Sequence, residues 1–135
     1  MDETVNDELD HLVGTWTLAG VTEYSSEGTS REPYGQQPNG QLIYTAEGFM
    51  AVVILAGGDA PAVNYAGEVS TDGIVVCHHV RVGAPPFTGD QVRFVRFDGS
   101  DRLVLASDQP GRPRIELRWV RSRAGRLTRA VAQSR

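Results

Sequence analysis

The side chains in this 135-residue chain that could do chemistry are few. They are the adjacent pair His78-His79, Cys77 beside them, Arg93, and the tyrosines Tyr24, Tyr44 and Tyr65. An imidazole exchanges protons near neutral pH. A guanidinium holds a carboxylate or steadies the oxygen of an enolate, and a phenol polarises a carbonyl. His78 as the proton-transfer residue, Arg93 as the oxyanion holder and Tyr44 or Tyr65 as an orienting donor could together run proton transfer, cyclisation or ring opening without a cofactor. The plainer alternative is that His78 and Arg93 hydrogen-bond each other and the tyrosine hydroxyls, and recognise or simply fill. A metal site is not expected from the histidine pair. Neighbours on a strand point to opposite faces and cannot share one ion in regular geometry, and Cys77 faces away from His78. Asp59, Asp72, Asp90 and Asp101 read as turn residues.

These groups act together only if strands aim them at one place. The pattern predicts about eight strands and no helical segment of useful length. The first runs from about Gly14 to Tyr24, and a Gly- and Pro-rich loop follows to Gly40. Gln41–Thr45 and Phe49–Leu55 flank Ala46-Glu47-Gly48; Val63–Ser70 and Ile74–Val82 flank Thr71-Asp72-Gly73. Gln91–Phe97 and Leu103–Ser107 flank Asp98–Asp101, and Arg114–Val120 closes the series. Short Gly-ended turns between apolar runs are hairpin connections. Sequential hairpins favour an all-β, single up-and-down antiparallel barrel over a sandwich, and a small closed barrel has an interior where a molecule can sit.

Strand parity then assigns faces. Trp16, Leu18, Gly20, Thr22 and Tyr24 share an inner face, with Trp16 plugging one end. Leu42 pairs with Tyr44, and Tyr65 with Gly67. Val76, His78, Val80 and Val82 point inward if Arg81 is in water, leaving Cys77 and His79 outside. Arg93 and Val95 point inward if Arg96 is outside; a bulge would swap these faces. The inner set is therefore Tyr24, Tyr44, Tyr65, His78 and Arg93 among Leu18, Leu42, Val76, Val80 and Val95, a few polar groups in an apolar cavity. Val52–Leu55 is apolar on both faces, to be covered by barrel and tail or by a second copy in a homodimer.

Composition narrows the function classes. The hydrophobic fraction of 40% is that of a globular domain, and a formal net charge of −4 gives no cause to expect a nucleic-acid partner. Every cation is Arg, which excludes a Schiff-base lysine and a phosphate-loop lysine. Gly57-Gly58 lacks a strand-to-helix context, and no serine sits in a Gly-x-Ser-x-Gly elbow. Cys77 is alone, so no intrachain disulfide forms. The acidic start is not a secretory leader and no apolar run approaches membrane-spanning length, so a cytoplasmic location and no membrane partner are expected. Acidic residues crowd positions 1–11 and arginines crowd 122–135, both read as solvated tails on a barrel at 12–121, with a short helix predicted around Leu127–Val131.

Leu12-Val13-Gly14-Thr15-Trp16-Thr17-Leu18, Gly40–Thr45 with Gly48-Phe49-Met50, Tyr65-Ala66-Gly67, Val76–Val80, Asp90–Val95, Asp98–Leu103 and Leu117-Arg118-Trp119 come in an order and spacing that resembles the bacterial lipocalin-like domain family. The stretch between Met50 and Tyr65 is shorter than in members with a Pro-rich or helical insert there. The resemblance implies a pocketed barrel and no single reaction, since such barrels include carriers as well as cyclases, isomerases and lyases. The expectation is a barrel holding a small, mostly apolar carbonyl- or carboxylate-bearing molecule, as a cofactor-free cyclase or isomerase of a biosynthetic intermediate or as a non-catalytic carrier.

Overall fold

The computed structural model describes residues 8–123. Nine antiparallel strands form one sheet: β1 (Gly14–Tyr24), β2 (Ser30–Arg31), β3 (Gly40–Tyr44), β4 (Phe49–Ile54), β5 (Val63–Thr71), β6 (Val75–Gly83), β7 (Gln91–Phe97), β8 (Arg102–Ser107) and β9 (Arg114–Arg121). From β3 to β9 every strand pairs with its successor. β1 pairs with β3 on one edge and β9 on the other, which closes an up-and-down barrel of eight long strands. The two-residue β2 extends the β1 seam beyond β3. The eight strands read from the pattern are all present, and their hairpins turn where expected. Gly48, Gly73 and Gly99 hold the positive φ that these tight turns demand. At the second turn, the Asp72 carboxylate accepts from the backbone N–H groups of Ile74 and Val75, which lowers its pKa. The predicted helix around Leu127–Val131, and most of both charged tails, lie outside the described residues.

The two ends of the barrel are built differently. At one end the strands are joined by short turns, and a helical turn at residues 8–12 packs Leu9 and Leu12 beneath the core. Trp16 is fully buried there and donates its indole N–H to the Leu12 carbonyl at 2.9 Å. The Arg121 guanidinium lies 4.2 Å from the Trp16 ring centre and donates to the carbonyls of His11, Val13 and Ser100. Trp16 is thus the plug it was expected to be. At the other end, longer connections at residues 32–39, 55–62, 84–90 and 108–113 surround the mouth.

Two bulges correct the parity reading. Between Leu18 and Gly20 the β1–β9 register slips, so Gly20 faces outward beneath Arg118 while Val21 enters the core. A Cβ at Gly20 would collide with that guanidinium, which donates to Thr22 at 2.7 Å. Thr22 and Tyr24 therefore lie on the outer face, and Tyr24 has no place in the pocket. A second slip, between β5 and β6 at Ala66/Gly67, puts Val82 outside at 71% exposure. Val52 and Ile54 line the interior, but Val53 and Leu55 are exposed on the outside and are covered by neither barrel nor tail among the described residues.

Candidate functional site

A cavity of about 150 Å³ occupies the mouth half of the lumen. Its walls are mostly apolar: Val21, Leu42, Val52, Ile54, Val63, Leu105, Ile115 and Leu117 from the strands, with Tyr34 and Phe87 reaching over from the loops. Tyr34 is tied to the opposite loop by donating to the Pro61 carbonyl at 2.8 Å, and Phe87 stacks on Tyr65 with ring centres 5.6 Å apart. The polar contribution comes from Tyr65, His78, Arg93, Ser107 and Trp119. A space of this size, with apolar walls, suits a guest of about one aromatic ring.

His78 is 2% exposed and held on both nitrogens, with Tyr44 Oη 2.6 Å from Nε2 and Tyr65 Oη 2.7 Å from Nδ1. Burial, reinforced by the nearby Arg93 charge and then His79, lowers its pKa to about 3, so the ring is neutral. Burial raises the Tyr44 pKa well above its usual value and moves Tyr65 up to about 12, so both phenols are protonated. A neutral imidazole has one N–H and one lone pair. Tyr44 is sealed behind the ring, and its hydrogen bond to His78 is the one its hydroxyl makes among the described residues. Hydrogen-bond satisfaction therefore has Tyr44 donate to Nε2, and Nδ1–H donate to Tyr65. The Tyr65 proton is left free, on a residue that lines the cavity. His78 orients Tyr65; its own nitrogens do not face a guest.

Arg93 points inward, as parity with Arg96 predicted, opposite Val76 on β6. Its guanidinium turns back along β7 to donate to the Val92 carbonyl at 2.8 Å and to Gln91 Oε1 at 3.3 Å. These bonds use part of a five-donor fork, and no carboxylate pairs with it among the described residues. Trp119 adds a second donor in want of an acceptor. Its ring lines the same cavity, and its buried Nε1–H is the one buried side-chain polar atom without a partner among the described residues. An orphaned buried donor costs about 1–3 kcal/mol. The cavity thus presents Tyr65 O–H, Arg93 N–H groups and Trp119 N–H, and no carboxylate lines it among the described residues.

Of the residues chosen from the sequence, Tyr65, His78, Arg93 and Leu42 line the cavity. Tyr44 lies one layer behind, on His78. Leu18 and Val76 are buried in the core and Val80 and Val95 pack against it, but none of these four forms the cavity wall. Tyr24 is displaced outward by the β1 bulge. Tyr34, Phe87 and the polar role of Trp119 were missed; the first two sit on loops, where parity has nothing to say, and the ring of Trp119 packs the core.

The outer face of β6 holds a second cluster. The alternation that separates His78 from His79 sets His79 beside Cys77, with Sγ 3.6 Å from Nδ1. Asp90, read earlier as a turn residue, brings Oδ1 to 3.4 Å from that same nitrogen, and Ser70 Oγ lies 2.8 Å from Nε2. The i, i+2 spacing of Cys77 and His79 was the available signal.

The architecture is a closed barrel of eight long strands with a pocket in its mouth half. A family model described as a lipocalin-like domain matches residues 13–64, β1 through the start of β5. Among solved structures, a redesigned β barrel is 12% identical, with a TM-score of 0.51 over 86% of this chain and 96% of that one. A de novo designed fluorescence-activating β barrel is also 12% identical, with a TM-score of 0.49 over 86% and 98%. No curated protein matches the chain. The first structural likeness supports the closed all-β barrel, and the lipocalin-like architecture supports small-molecule binding in general.

Proposed function

We propose that the barrel binds a small, mostly apolar organic molecule whose carbonyl or carboxylate oxygen accepts from Tyr65, Arg93 and Trp119. The observation that carries this reading is the pairing of an indole N–H and a guanidinium that have, respectively, no acceptor and no carboxylate partner among the described residues, in one apolar cavity of about 150 Å³. An acceptor-headed guest satisfies the buried indole N–H and pairs with the half-buried guanidinium, and its ring fills the apolar half. Calorimetry with benzoate and phenylacetate against toluene tests it. The carboxylates bind more tightly than toluene, and Arg93→Met removes most of that preference. Equal affinity for all three, or a preference untouched by Arg93→Met, overturns it.

A second reading, a cofactor-independent cyclase or isomerase, draws on the Tyr65 proton. A donor backed by a neutral imidazole and flanked by a cation can polarise a carbonyl and stabilise an enolate, with solvent water taking the α-proton because no free base lines the cavity among the described residues. His78 acts in it through Tyr65, because both of its nitrogens are engaged and its basicity is low. Deuterium exchange at the α-carbon of small enolisable ketones in D₂O reads this directly. Exchange that Tyr65→Phe abolishes supports the enzyme; binding without exchange leaves the carrier.

A further inference from the structure

We propose that the outer wall of the barrel carries a zinc-type metal site made by Cys77 Sγ, His79 Nδ1 and Asp90 Oδ1, separate from the lumen and its ligand.

The three donor atoms lie within 4.8 Å of one another. Zinc bond lengths of about 2.3 Å to sulfur and about 2.0–2.2 Å to nitrogen and oxygen make the S···N and N···O edges of a tetrahedron about 3.5 and 3.4 Å. The observed separations are 3.6 and 3.4 Å. The ligand set joins a soft thiolate, an imidazole and a hard carboxylate, which suits Zn²⁺ or Co²⁺ and does not suit Mg²⁺ or Ca²⁺.

The far side of the imidazole is prepared as well. When Nε2–H donates to Ser70 Oγ, at 2.8 Å, the Nδ1 lone pair faces Cys77 and Asp90. Metal-bound histidines are held in this way by a partner on the other nitrogen. Glu68 stands opposite His79 in the β5–β6 register, but its Oε2 is taken by Arg81 at 2.8 Å. The protein thus offers three ligands and leaves a fourth position for water or a small anion, the pattern of an open zinc site. Cys77 and His79 are half-buried on a strand, and Asp90 ends the loop that carries Phe87 over the lumen. An ion here ties that loop to the β6 wall.

Cobalt titration of the full chain tests the site. Cys77 is the one cysteine in the sequence, so a thiolate-to-cobalt charge-transfer band in the near ultraviolet reports this site alone. The expected result is one Co²⁺ per chain, with that band, the intense visible bands of tetrahedral cobalt, and displacement of both by Zn²⁺. Cys77→Ser removes the charge-transfer band, and Asp90→Asn, at an exposed position, weakens binding about tenfold or more without touching the strand. Ser70→Ala weakens it by about tenfold as a positioning change. Zn²⁺ raises the unfolding temperature of the native chain but not that of Cys77→Ser. A titration without a charge-transfer band, or binding that Cys77→Ser and Asp90→Asn both leave unchanged, shows that the cluster is only hydrogen-bonded and overturns the proposal.

Discussion

His78 and His79 are neighbours on one strand and occupy opposite conditions. The inner ring is sealed between Tyr44 and Tyr65, with its pKa lowered to about 3 by burial first and by the Arg93 charge second. The outer ring is half-exposed and faces Ser70, Cys77 and Asp90. A barrel wall one residue thick therefore gives one side chain two uses. Inside, the imidazole is a neutral connector that fixes the hydroxyl of Tyr65. Outside, it keeps a nitrogen directed at a thiol and a carboxylate. Chemical identity alone does not distinguish these roles; desolvation and partners do.

The contrast is open to direct attack, and acid is the strongest lever. An unfolded His78 takes up a proton near pH 6.5, whereas the folded one does so only near pH 3. Between these values the unfolded state binds more protons, so stability is fully present above about pH 6.5 and is lost as pH falls toward 3. The loss attributable to His78 is about 4 kcal/mol across that window. Urea denaturation at stepped pH should show it, and His78→Gln should flatten the slope. An unchanged slope in His78→Gln removes the sealed-imidazole picture.

Next in size is truncation at neutral pH. His78→Ala leaves two buried hydroxyls short of a partner and a cavity, at a cost of about 3 kcal/mol in denaturant unfolding. His79→Ala should stay within about 1 kcal/mol, as expected of a half-exposed residue. Equal losses would erase the difference between the two faces.

Smaller still is the lumenal cation. Arg93→Met should reduce benzoate affinity by about 2 kcal/mol, in the range for a charge-assisted hydrogen bond, measured by calorimetry with little change in the urea midpoint. The least effect on stability is expected for Cys77→Ser in the absence of metal, under about 1 kcal/mol by the same urea assay.

Most of the fold was legible because hairpin turns announce themselves. Ala46-Glu47-Gly48, Thr71-Asp72-Gly73 and Asp98–Asp101 bound their strands, and consecutive hairpins leave little choice but an up-and-down barrel. The inner placement of His78 and Arg93 was also legible, since Arg81 and Arg96 set the parity of β6 and β7. Tyr24 and Val82 were misplaced because each follows a bulge, and a one-residue slip turns every later side chain over without a mark in the local pattern. Asp90 was out of reach for another reason. Its closeness to His79 depends on how β6 and β7 come together in space, which no single strand encodes. The polar role of Trp119 was out of reach because its ring packs the core; only its Nε1–H, without a partner among the described residues, shows it.

The claim at the centre is that the lumen seats an acceptor-headed guest against Trp119 and its neighbours. The chain has two tryptophans, so its indole N–H region in a ¹H–¹⁵N correlation spectrum contains two signals. Trp16 donates to Leu12 at the plugged end, while Trp119 lines the cavity with no partner among the described residues. Titration with benzoate should move the Trp119 signal downfield in a saturable way and leave that of Trp16 in place. A Trp119 signal that stays put while benzoate shifts only outer-surface amides, or is bound nowhere, would contradict it.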